Sequence, residues 1–269
     1  MSDASWLKVL AFFGVWTVIW LPIAFVISKT IGWKPGETLT PQQKLILLGS
    51  LYILSPIILA WKIHSENLSF AALGLTFDPN LLKSLFIGLI VGIISLTIIF
   101  TFESILKLVS WHWGNKQELF AALLPILLLS LLISVVEEAI FRGYAFSTLL
   151  SEYSLLTAAS ISSLIFALLH LIWERKETLP QIPGLWLMGM ILTAARLVDG
   201  DRLGLAIGLH TAWIWGLTCI DSAQLLTYRK NDSWLTGLHQ QPLAGIAGIS
   251  CLILTGIVLW LGYETHLLA

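Results

Sequence analysis

Charge is what this chain has least of. Only 12% of its 269 residues are charged, against 57% hydrophobic, and its mean hydropathy is +0.86. Soluble domains carry about 25% charged residues, so roughly half of what a water-facing surface needs is missing. A bilayer is the solvent that can cover the remainder. The formal net charge is -1, which gives no electrostatic footprint for nucleic acid. Cysteine is scarce too: Cys219 and Cys251 stand in or beside apolar runs, which excludes a disulfide framework and a cysteine-based zinc site. There is no internal repeat, low-complexity tract or composition shift, so residues 1–269 read as one membrane-embedded domain. No small-residue cleavage signature follows the first apolar run, which therefore reads as a retained transmembrane helix and not a removed signal peptide.

What is abundant is apolar length. A membrane helix needs about 20 predominantly apolar residues, and eight stretches come close: Trp6–Ser28, Leu45–Trp61, Leu82–Leu108, Leu119–Leu150, Ser154–Trp173, Gly184–Val198, Leu203–Ile220 and Leu243–Tyr263. Polar punctuators such as Gly32-Trp33-Lys34-Pro35-Gly36, Asp78-Pro79-Asn80 and Glu174-Arg175-Lys176-Glu177 read as connecting loops. The fold class is all-α, a polytopic transmembrane bundle of about eight helices. Thirteen Trp suit the membrane–water interface. Nine Lys and Arg in the odd-numbered loops against six on the other side is too thin a margin to set orientation.

Against that background a few residues are out of place. The fourth span runs apolar to Val136 and then reads Glu137-Glu138-Ala139-Ile140-Phe141-Arg142-Gly143. A charge near the bilayer centre costs at least about 2.5–3.5 kcal/mol, so it persists where it pairs or lines a wet cavity. Glu138 and Arg142 are four apart and can pair on one helical face. Glu137 sits roughly 100° around the helix, without a local partner, as a general base in a cavity would. The fifth span carries His170 one turn after Phe166, and the seventh carries His210 near its middle. Polar groups on three spans are satisfied cheaply only by meeting inside the bundle. Blander pairs include Glu103 with Lys107, read as a snorkelling ion pair, and Arg196, Asp199, Asp201 and Arg202, read as a solvated turn. His64, His112, His239 and His266 fall in loops or the tail.

These groups suffice for hydrolysis by an activated water: a carboxylate takes the proton, a histidine orients the water, and another donor stabilises the oxyanion. A Ser-His-Asp set is not evident, since Ser160, Ser162 and Ser163 lack a carboxylate-held base. Glu137, His170 and His210 would equally suit a catalytic zinc with one open position, although the helical motif of two histidines four apart is absent. The residues alone leave the two routes open; no cofactor is favoured, and zinc is possible.

The order Glu137-Glu138-x-x-x-Arg142, Phe166-x-x-x-His170 and Gly208-Leu209-His210-x-x-Trp213 resembles the CPBP family of CAAX-prenyl proteases and bacteriocin-processing enzymes, also called the Abi family. The core resemblance covers residues 119–220, the expected catalytic core. The tail Trp234-Leu235-Thr236-Gly237 and Pro242-Leu243-Ala244-Gly245 is similar to bacterial, cyanobacterial-type members. The resemblance implies an intramembrane endopeptidase, glutamate-type or metallo, in which Glu137 activates water, His170 helps to hold it, His210 contributes to the oxyanion hole, and Glu138 and Arg142 support the site. Where that motif often holds asparagine, this chain has Ile214, which cannot donate; the indole N–H of Trp213 could substitute if it faces the cavity, and a packing or interfacial aromatic is the alternative. The implied partners are a peptide or lipidated-protein substrate and membrane lipid, with no nucleic acid. The implied location is an integral, multi-pass one in the cell membrane or an internal membrane such as the thylakoid. Two other functions use the same residues: a proton-coupled transporter and a catalytically weak membrane scaffold or immunity protein, which Ile214 favours.

Overall fold

A computed structural model describes residues 4–34, 37, 39–76, 78–172, 175–230 and 233–265. Pro35, Gly36, Trp173, Glu174 and His266 lie outside the described residues. The helices in chain order are α1 (Ser5–Thr30), α2 (Pro41–Ser65), α3 (Pro79–Ile105), α4 (Lys116–Glu138), α5 (Phe146–Leu150), α6 (Leu155–Leu169), the single turn α7 (Arg175–Thr178), α8 (Ile182–Val198), α9 (Gly204–Ser222) and α10 (Ile246–Glu264). Local chemistry sets several starts. Thr40 and Gln43 form a reciprocal capping box before Pro41, Asp78 accepts from the amides of Asn80 and Leu81 before Pro79, and Ser154 accepts from Thr157. The backbone bonds that Asp78 accepts are the main reason its carboxyl is held below the ordinary carboxylate range.

Seven stretches are long and apolar enough to cross a bilayer: Ser5–Thr30, Gln42–Ser65, Pro79–Ile105, Trp113–Leu150, Leu155–Ile172, Arg175–Val198 and Ile246–Glu264. Their outward faces carry large bare hydrophobics such as Val18, Ile105 and Phe120, each about 70% exposed, which lipid covers and water cannot. The chain is a multi-pass integral membrane protein. The eighth stretch, α9, falls short of that measure for a physical reason. It holds His210, Asp221 and two Trp, and every residue from Gly204 to Trp213 is buried. The half of α9 that other helices wrap, which holds His210, does not need a lipid-compatible surface, and Asp221 lies at its exposed end.

Small residues bring α3 against α9. A Cβ on Gly208 would stand 2.0 Å from the Leu85 carbonyl oxygen, and one on Gly88 2.3 Å from that of Leu205. Gly204 and Gly208 on one helix and Gly88 and Gly92 on the other are each four apart, so both backbones supply a small-residue stripe to the crossing. Helix α4 packs on the same central helix, α6 on α8, and α10 on α8 and α3.

Three expectations need correction or addition. A two-stranded antiparallel ribbon pairs β1 (Val109–Trp111) with β2 (Leu226–Tyr228) outside the helices. Among the described residues Glu103 and Lys107 form no ion pair: α3 ends at Ile105 and Lys107 has φ 55, which takes it out of helical register, while Glu103 is buried. The turn after α8 is solvated in part only, because Arg196 and Asp199 are 5% and 2% exposed. Arg196 lies on the inward face of α8 with Leu185, Met188, Leu192 and Ala195. Asp199 accepts from Ser84 Oγ at 2.6 Å and from the Leu205 amide at 3.2 Å, fastening α3 to the start of α9; burial is the chief influence on its carboxyl and pushes its pKa up. Asp201 is the exposed member, at 72% of its side chain.

Candidate active site

The fourth span is not one uniform α-helix. After Glu138 it widens into a π-helical segment, Ala139–Ala145, before α5 resumes. Such segments are rare and concentrate at functional sites. All seven of its residues are buried. Arg196 reaches in from α8 and donates through Nη1 to the Arg142 carbonyl and to Ser147 Oγ, the latter at 2.8 Å. A guanidinium thus satisfies backbone that the altered helical register leaves open. Ser162 of α6 donates to the Phe141 carbonyl at 2.7 Å and ties the same segment to a second neighbour.

The two adjacent glutamates are held in different ways. Glu138 is fully buried; its Oε1 accepts from Arg142 Nη1 at 2.9 Å and from His210 Nδ1 at 2.7 Å. Arg142 is 1% exposed, and its guanidinium lies over the Phe166 ring at 4.4 Å. Glu137 is 9% exposed and lines a cavity of about 640 Å³. Its Oε1 accepts from the Tyr52 hydroxyl of α2, and its Oε2 stands 3.6 Å from His210 Nε2.

Both imidazoles are oriented by acceptors. Glu138 is an ion-paired carboxylate, so His210 Nδ1 carries the hydrogen and Nε2 is the nitrogen turned toward Glu137 and the cavity. His170 Nδ1 lies 2.8 Å from the Phe166 carbonyl oxygen. A carbonyl only accepts, so Nδ1 donates there and Nε2 keeps a lone pair. Phe166 is the common wall of the site, with ring centroids 4.6 Å from His170 and 6.0 Å from His210. Its own place is set by an edge contact with Phe141 at 5.2 Å.

Glu137, Glu138, Arg142 and His210 therefore form one contact network, and His170 lines the same cavity as Glu137 and His210. Trp213 and Ile214 line it too, but the Trp213 indole N–H donates to Ser95 Oγ at 3.0 Å. That engagement matches the packing reading of Trp213 and not the substitute donor: the ring is wall, and the hydrogen goes to the α3 contact. Tyr52 was not singled out by sequence reasoning. A Tyr inside an apolar span carries no excess of charge, and only the partner of its hydroxyl distinguishes it from packing.

Glu137, His170 and His210 do not make a zinc set as they stand. Both imidazoles are held through Nδ1, which leaves each Nε2 open, but among the described residues no three His, Cys, Asp or Glu side chains are grouped to hold a metal ion. Cys219 and Cys251 are buried, free and apart from the cavity's polar end.

No curated protein and no solved structure matches the chain. Residues 119–216 match the family described as Rce1-like, type II CAAX prenyl endopeptidase Rce1-like. The stretch that supplies Glu137, Glu138, Arg142, His170 and His210 is thus similar to the Rce1-like endopeptidases, the group that the three motifs resemble.

Proposed function

We propose that the protein is an intramembrane endopeptidase of the CAAX type, hydrolysing a peptide bond with a water activated by Glu137 and His170. The observation that carries this reading is the buried cluster in which a cavity-facing carboxylate, Glu137, lies beside an oriented imidazole and next to a second carboxylate that is already neutralised. A purely structural cluster gains nothing from leaving one acid open to a cavity; a base must be reachable.

In the proposed reaction the water donates one hydrogen to Glu137 and the other to His170 Nε2, so its free lone pair faces the substrate carbonyl. Attack forms the tetrahedral intermediate as Glu137 takes the proton. In its doubly protonated form His210, held from behind at Nδ1 by Glu138, donates from Nε2 to the developing oxyanion. Glu137 returns the proton to the leaving nitrogen as the C–N bond breaks, giving a carboxylate and a free amine. Arg142 acts at one remove, pairing with the Glu138 Oε1 that also accepts from His210 Nδ1. The apolar walls, among them Trp16, Leu48, Leu51 and Met188, suit a lipidated peptide.

The test is cleavage of a peptide panel, with and without prenylated CAAX ends, by the full chain in liposomes. Glu137→Gln should lower kcat at least about 1,000-fold and His170→Ala about 100- to 1,000-fold; turnover should also survive a chelator. Cleavage that persists in both variants would remove the assignment. Stoichiometric zinc whose removal abolishes turnover would replace the proposed route by a metal-assisted one.

A further inference from the structure

The base is oriented by a helix that lies outside the family-like stretch. Among the described residues, the Tyr52 hydroxyl is the one group within hydrogen-bonding distance of Glu137. His210 Nε2, at 3.6 Å, stands beyond it. The neighbouring Glu138 has two firm partners, from its own helix and from α9. Tyr52 comes from the middle of α2, whereas the family match begins at residue 119. Its ring lines the same cavity as Glu137 and His170.

A glutamate side chain has three torsions, and one whose carboxylate is half-held can turn either oxygen toward a bound water. The phenol removes that freedom. With Oε1 engaged by Tyr52, Oε2 is the oxygen that faces His210. Glu137 also has the paired Glu138 and Arg142 on its own helical element, His210 on α9 and His170 just past the end of α6 around the shared cavity; none of these lies within hydrogen-bonding distance.

We propose that Tyr52 is a positioning residue for the reaction: its hydroxyl clamps Glu137 Oε1 so that Oε2 is presented to the attacking water. The role rests on Glu137 being the base. A misdirected catalytic group loses about 100-fold even when it is displaced by only about 1 Å, so the clamp acts on turnover and not on substrate binding.

The test uses purified full-length protein in liposomes and an internally quenched peptide with a prenylated CAAX end. kcat, KM and thermal unfolding are measured for wild type, Tyr52→Phe and Glu137→Gln. Tyr52→Phe keeps the ring and removes the donor; kcat should fall about 10- to 100-fold while KM stays within about twofold and the unfolding temperature does not move. A merely structural tyrosine would shift unfolding and KM along with kcat, and that pattern overturns the proposal. Unchanged kcat in Tyr52→Phe beside an inactive Glu137→Gln overturns it as well, while leaving the base assignment standing. If Glu137→Gln cleaves as wild type does, the base assignment falls and the positioning role falls with it.

Discussion

Two neighbouring glutamates can do opposite jobs only if their surroundings differ, and here the difference is one residue step around a helix. Glu138 meets Arg142 and His210 and is neutralised in place; Glu137 faces a cavity with a phenol and an imidazole beside it. The weak point at this scale is the oxyanion. Ile214 lines the cavity one turn beyond His210 without a donor, and the Trp213 N–H is engaged by Ser95. Ile214→Asn should therefore raise kcat about 10-fold or more, since a single oxyanion donor is worth about 100- to 1,000-fold. Kinetics on the same quenched peptide check this, and an unchanged or lower kcat means that the position does not face the reacting carbonyl. The five charged and imidazole groups were legible because acids, a guanidinium and histidines are conspicuous in lipid-soluble sequence. Tyr52 was not, because its ring belongs there and its hydroxyl becomes informative only beside Glu137.

At the scale of elements, the apolar runs gave the spans, while the break inside the fourth was hidden. Glu137-Glu138-Ala139-Ile140-Phe141-Arg142 reads as continuous α-helix, and the i,i+4 contact between Glu138 and Arg142 is made, yet the backbone beyond Glu138 is π-helical. A partner for it lies about 50 residues away, in Arg196, which donates to the carbonyls of Arg142 and Gly143. Four charged residues near a turn, Arg196 to Arg202, resembled a wet loop because sequence does not tell which face of α8 each occupies. Arg196→Met should destabilise the protein by about 2–4 kcal/mol, because it leaves buried carbonyls unpaired while keeping the stem's bulk. Thermal unfolding in detergent measures it; a loss under about 0.5 kcal/mol, the size of an ordinary surface substitution, would mean that the π segment does not depend on this cation.

At the scale of the molecule, the first half of α9, Gly204–Trp213, is wholly buried, so His210 sits on a stretch that needs no lipid-compatible surface. His210 sits on the same helix that Gly204 and Gly208 seat against α3. Gly208→Val should force the helices apart, costing more than the about 1–3 kcal/mol of ordinary overpacking, and lower stability and cleavage together; full stability and activity would show that the crossing tolerates bulk. The bundle as a whole exists, in this account, to deliver one water to a peptide carbonyl beside Glu137. A single-turnover cleavage in oxygen-18 water tests that most directly. Label should appear in the new carboxylate of the product from the first turnover, with none retained by the protein. Unlabelled first-turnover product with oxygen-18 left on Glu137 would mean that the carboxylate itself attacks, and would contradict the account.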